Sequence, residues 1–123
     1  MNEPESHFLP SELACKHCGK GTLNPDTLRR LEIARTYADT PMKVNSGFRC
    51  PEHNLELVRV GKGEPNSAHL NGRAVDIAVH NSRERYLFLE AFIEAGFVRI
   101  GIGKTFIHVD DDETKPQNCV WVY

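Results

Sequence analysis

The sequence predicts an α+β domain, with a small and mostly antiparallel sheet flanked by helices, on three observations. Up to about Val60, apolar residues recur at helical spacing behind cap signals. From Arg73 to Val79 the period changes to two. After Gly96, three short strand candidates follow one another through turns. Helices first, then strands with one helix between them, is the order of an α+β domain.

Met1 to about Ser11 reads as an extended arm (1–11), with Phe8 and Leu9 as anchors, ahead of a single domain at 12–123. Asn24-Pro25-Asp26 starts a helix: Asn can cap, Pro suits the first helical position and Asp suits the positive end of the dipole. Leu28, Leu31, Ala34 and Tyr37 then mark a core face as far as Asp39. Met42–Asn45 is a strand candidate, Ser46-Gly47 a turn, and Cys50-Pro51 opens a second helix to about Val60. Gly61–Ser67 (GKGEPNS) is a loop by composition. In the strand that follows, Val75, Ile77 and Val79 face one way, and Ala74, Asp76 and Ala78 the other. Ser82 is placed to cap a third helix with Tyr86, Leu89, Phe92 and Ile93 as its apolar stripe, and Gly96 to end it. Val98–Ile102, Phe106–Asp110 and Val120–Tyr123 are the last strands.

The chain has 123 residues, enough to bury a core without staples. A net charge of -2 offers no electrostatic reason to expect nucleic acid or an anionic membrane as partner. No apolar run approaches the roughly 20 residues that cross a bilayer. Met1–Ser6 is polar and acidic and lacks the basic-then-apolar order of a secretory signal. Synthesis in the cytoplasm is therefore expected, with any action outside the cell depending on a separate release route. A monomer is expected.

Cys15 and Cys18 form a C-x-x-C pair, and Cys50 stands three residues before His53. Together Cys15, Cys18, Cys50 and His53 have the half-site spacing of a four-ligand structural zinc site. The alternative is free thiols, or a disulfide formed after export. The separation between the half-sites, longer than in a compact finger, favours that alternative. His7, His17 and His80 have no supporting context and are expected in solvent.

The chemistry is concentrated in Ser67–Asp76 and Phe106–Asp110. An ionised Asp76 between Val75 and Ile77 in a core strand is costly unless a cation or donors meet it. Ala74 and Ala78 leave room around it, although an ion pair with Arg73 or a turn cap would also satisfy it. His108 shares a strand face with Phe106 and Asp110, while Ile107 and Val109 point to the core. His69, Asp76 and His108 come from a loop and two strands and can converge. Two imidazoles and one carboxylate form the three-ligand set of catalytic zinc, leaving a position for water.

S-x-H-x-x-G-x-A-x-D at residues 67–76, followed by F-I-H-V-D at 106–110, resembles the zinc D-Ala-D-Ala peptidases of family M15, particularly the small phage and bacterial branch. Ser46-Gly47-Phe48-Arg49-Cys50-Pro51-Glu52-His53-Asn54 is similar to that branch's S-G-[YF]-R-x-P-x-x-N element. The resemblance runs from about Phe8 to Asp110. It implies a Hedgehog/DD-peptidase-like sheet carrying zinc on one face, with His69, Asp76 and His108 as ligands and an arginine, here Arg49, beside the metal. It also implies hydrolysis of peptidoglycan peptides, as a carboxypeptidase or an endopeptidase. The Hedgehog signalling domain shares the fold, so zinc alone does not establish catalysis.

Arg49 is the candidate to hold a peptide carboxylate or a developing oxyanion. Ser67 could hydrogen-bond near the pocket mouth or serve as an ordinary turn serine. Many relatives carry Glu, Asp or His three residues before the last ligand, where this chain has Thr105, which cannot act as a base. Asp110 could take the proton of the water or orient an imidazole. His53 is a further acid or base if its helix packs against the site. Asp111 and Asp112 read as a solvated turn. A zinc-stabilised wall-binding or structural module without hydrolysis is the competing reading, and Thr105 is the feature that favours it.

Overall fold

Residues 6–123 are described by a computed structural model. Its elements are α1 (Pro10–Leu13), α2 (Pro25–Ala38), β1 (Val44–Ser46), α3 (Pro51–Arg59), a 3-10 turn (Ala68–Asn71), β2 (Ala74–Ala78), α4 (Ser82–Glu94), β3 (Arg99–Ile102), β4 (Phe106–Asp110) and β5 (Cys119–Val122). The first five residues of the expected arm lie outside the described residues. Its end is not extended, because Pro10 starts the single turn of α1 and Glu12 closes that turn by accepting from the Leu9 amide at 2.9 Å. Phe8 is buried as an anchor, whereas Leu9 is exposed.

Asn24 caps α2 through Asp26 N at 3.0 Å, as its sequence predicts. The core face is turned from the expected one. Thr27, Leu31, Ala34 and Ala38 are buried, and Tyr37 is exposed. The same correction applies to α4, where Phe88, Ala91 and Phe92 face the core and Tyr86 and Ile93 face solvent. Apolar residues lie on both sides of each helix, so periodicity alone allowed either stripe; the packing of α2 against α4 selects the faces that bury Leu31, Phe88 and Phe92. Burying side chains of this size contributes about 1.5–3 kcal/mol each. Asn81, rather than Ser82, caps α4, accepting from Glu84 N at 2.9 Å.

The sheet order is β1-β2-β4-β3-β5. The pairs β1–β2, β2–β4 and β4–β3 are antiparallel, and β5 joins the outer edge of β3 in parallel. The sheet is therefore mixed, with antiparallel pairing dominant. Val75 and Ile77 of β2, Ile100 of β3, and Ile107 and Val109 of β4 are buried in the helix-covered core. The period of two then assigns Asp76, His108 and Asp110 to the opposite face. Cross-strand register pairs Asp76 with His108 directly. No helix among the described residues is long and apolar enough to cross a membrane.

Candidate metal centre

His69 reaches this face of the sheet from the 3-10 turn. Ser67 starts that turn with its hydroxyl accepting from His69 N at 3.2 Å, and Gly72 ends it in the left-handed region at φ 67°. A Cβ at Gly72 would lie 2.7 Å from Thr22 O, so both conformation and space require glycine there. His69 Nδ1 donates to Gly47 O at 2.7 Å, which leaves Nε2 as the nitrogen facing Asp76 Oδ2 at 3.4 Å. The Gly47 carbonyl, just past the end of β1 where a Ser46-Gly47 turn was expected, thus selects the tautomer that presents a lone pair to the site.

On the strand side, His108 Nδ1 meets Asp76 Oδ1 at 2.8 Å, and Nε2 donates to Asp110 Oδ2 at 2.7 Å. One donor atom from each of His69, Asp76 and His108 lies within 4.8 Å of the others, a grouping that could hold a metal ion. Burial opposes charge on His108, but the carboxylates of Asp110 and Asp76 outweigh it and raise its pKa to about 9. Burial likewise opposes charge on Asp76, and hydrogen bonds from His108 and His69 hold it well below the usual carboxylate range. A donor set of this composition concentrates negative charge around two imidazoles, as a cation site requires.

The three residues line a cavity of about 510 Å³, together with Arg49, Ser67 and Asp110. Arg49 donates through Nη1 to Asn54 Oδ1 at 3.0 Å and to Ser67 Oγ at 3.4 Å. Its Nε is buried without a hydrogen-bond partner. Burial lowers the pKa of the guanidinium, with Asp76 opposing the shift. Asn54, part of the quoted sequence element but given no role there, also donates to Glu64 O at 2.8 Å and so ties the 61–67 loop to Arg49. Asp110 is almost fully buried, with Arg99 Nε at 2.7 Å on one oxygen and His108 on the other. Arg99 also lies 5.0 Å from the centre of the Trp121 ring, which in turn stands 5.6 Å from the His108 ring. Trp121 and Tyr123 were missed in the sequence because β5 carries no motif and joins β3 only through tertiary pairing, and Arg99 because it meets Asp110 only across the β3–β4 pairing.

Other expectations need correction. His53 does not line the cavity; its ring lies 5.4 Å from that of His17. His17 is exposed as expected but not isolated, since its Nδ1 stands 3.6 Å from Cys50 Sγ. Cys15, Cys18 and Cys50 do come together, with their sulfurs within 4.8 Å of one another, and His53 is not part of that group. Burial pushes the Cys15 thiol up, but the amides of Cys50, Cys18 and His17 outweigh it and bring it down to about 6. Asp111 and Asp112 are buried rather than solvated. Asp111 accepts from Thr27 Oγ1 at 2.6 Å and pairs with Arg30 at 2.7 Å. Asp112 pairs with Lys115 at 2.6 Å. Thr105 is absent from the cavity wall, and its carbonyl is used by Val79 N in the sheet.

A family model described as Peptidase M15 matches residues 6–110. The chain belongs to the peptidase M15 family. The fold agrees. The crystal structure of Serratia marcescens L-Ala D-Glu endopeptidase ChiX is similar at a TM-score of 0.59 and 24% identity, covering 72% of this chain and 79% of that one. No curated protein matches the chain. In this M15 peptidase, the two stretches that carry His69, Asp76 and His108, 67–76 and 106–110, both fall inside the matched region.

Proposed function

We propose that the chain is a zinc-dependent peptidase that cleaves the peptides of bacterial peptidoglycan, as an endopeptidase. The observation that carries this reading is the convergence of His69, Asp76 and His108 on one wall of the cavity. Two imidazoles and a carboxylate match the ligand number and type of a catalytic zinc site. Bound there, zinc supplies Lewis-acid chemistry and a nucleophile drawn from water at neutral pH.

The residues of the chain do the rest. Gly47 O holds the His69 ring so that Nε2 faces inward, and Asp110 does the same for Nδ1 of His108. Asp110 then acts as the orienting partner, because Arg99 and His108 occupy its two oxygens. Arg49, held by Asn54 and Ser67, brings its guanidinium to the cavity wall, where it can meet a substrate carboxylate or the oxyanion. Lys62, on the same wall and in none of the ion pairs of the described residues, suits wall peptides, which carry free carboxylates. The similar solved structure is named for an L-Ala D-Glu endopeptidase, which supports internal cleavage over removal of a terminal D-Ala.

The test is zinc-loaded protein with defined muropeptides, followed by mass spectrometry of the products. Internal cleavage by the wild type is expected, with loss of both metal and turnover in His69→Ala. Release of only a terminal D-Ala would make it a carboxypeptidase. Wild type that holds zinc and binds muropeptide without cleaving any would establish the non-catalytic module that Thr105 favours.

A further inference from the structure

A second group of donors lies outside the cavity. Cys50 is 35 residues from Cys15, yet its amide donates to Cys15 Sγ at 3.3 Å. Backbone pairing makes the approach possible. Phe48 N donates to Leu13 O at 2.9 Å, and Cys15 N donates to Lys20 O at 2.9 Å, so residues 15–20 fold into a loop against the start of α3. Gly19 N closes the inner turn on Cys15 O at 2.8 Å. None of the cysteines is in a disulfide, and the sulfurs of Cys15, Cys18 and Cys50 lie within 4.8 Å of one another.

These sulfurs are met by N–H donors. The amide of Cys50 is directed at Cys15 Sγ. Cys50 caps α3, and its sulfur accepts from His53 N at 3.4 Å. Tetrahedral zinc with Zn–S of about 2.3 Å and Zn–N of about 2.0–2.1 Å spaces its donors about 3.8 Å apart for S–S and about 3.6 Å for S–N. His17 Nδ1 stands 3.6 Å from Cys50 Sγ, at that separation, but like His53 it lies outside the group whose donors are all within 4.8 Å of one another, so its ring must turn toward Cys15 and Cys18 to complete the site.

We infer that Cys15, Cys18 and Cys50 hold a structural zinc ion, separate from the His69–Asp76–His108 centre, with His17 as its imidazole ligand. His53, which the spacing suggested as the fourth ligand, instead supplies an amide to Cys50 and a ring beside His17. The ion ties the N-terminal segment to the residue next to Arg49, whose own amide donates to His69 O at 3.0 Å. It therefore fixes the approach of both Arg49 and His69 to the cavity without touching substrate.

The test reads metal rather than activity. Full-length protein purified under reducing conditions is expected to carry about two zinc per chain, and a His69→Ala/His108→Ala variant about one. Cobalt substituted into either protein is expected to show a thiolate-to-metal charge-transfer band. Titration with an organomercurial should release the zinc of the double variant in step with the Cys15, Cys18 and Cys50 thiols. His17→Ala should shift the cobalt spectrum and weaken retention of that metal at least ~10-fold, as for loss of a ligand or its support, with His53→Ala close to wild type. A folded double variant without metal, cobalt without the thiolate band, or a disulfide within the three cysteines in freshly reduced protein would overturn the site. A spectrum that responds to His53→Ala and not to His17→Ala would overturn the choice of imidazole. Should the double variant fail to fold, the cobalt spectrum and thiol titration of the wild type decide the question.

Discussion

Asp110 can be oriented or reactive, and its two oxygens separate the roles. Arg99 Nε and His108 Nε2 both stand at 2.7 Å, so the carboxylate fixes the imidazole that faces Asp76. Asp110→Ala is expected to weaken metal binding by about 10–100-fold, and Asp110→Asn to recover part of it by keeping an acceptor for Nε2. Metal titration against turnover checks this. An Ala variant that binds metal as wild type but has lost kcat would make Asp110 a proton acceptor instead. Residue identity was legible here and residue environment was not. Asp111 looked solvated because Thr27 and Arg30, its partners, lie 84 and 81 residues away. The same separation hid Thr27, a polar residue fully buried on the core face of α2.

The boundaries of α2, α3 and α4 were read closely, since Asn24, Pro25, Pro51 and Gly96 act locally, whereas α1 was read as an extended arm and β1 runs Val44–Ser46 instead of Met42–Asn45. Helix faces were not, because which stripe is buried depends on the neighbour. The outer strand β5 shows the limit most clearly. It lies parallel to β3, with Gly101 opposite Trp121, and the missing side chain of Gly101 lets the indole lie across the strand toward His108. A Cβ at Gly101 would stand 2.6 Å from Trp121 Nε1 and 2.8 Å from Tyr123 Cε2. Gly101→Ala is thus expected to displace the ring and to destabilise the protein by about 1–3 kcal/mol. Trp121 is the single tryptophan, so its emission reports the displacement directly, and denaturant melts give the energy. Emission and stability equal to wild type would show that the ring does not depend on that space.

At the scale of the molecule, acid sensitivity follows from the carboxylates that close the 110–115 segment. Burial raises the Asp112 pKa, but Lys115 and Thr114 outweigh it and bring it down from 3.8 to about 2. A depressed carboxyl contributes stability above its unfolded pKa and loses it as pH falls through the folded one. Lys115→Met is therefore expected to destabilise the fold above about pH 4, with the difference from wild type vanishing toward pH 2. Urea melts across that range check it; a constant difference would assign the effect to packing. By itself the sequence determined the class of the fold and the order of its elements after α1, and it singled out the three residues that the structure brings together, because capping, strand alternation and donor chemistry act over a few residues. Only the tertiary structure decided that Asp110 is locked by Arg99, that β5 is parallel, that the ring of His17 meets Cys50 Sγ while His53 offers it only an amide, and that Asp111 and Asp112 are buried. Each of those depends on a partner brought from a distant part of the chain by packing, which no local pattern encodes.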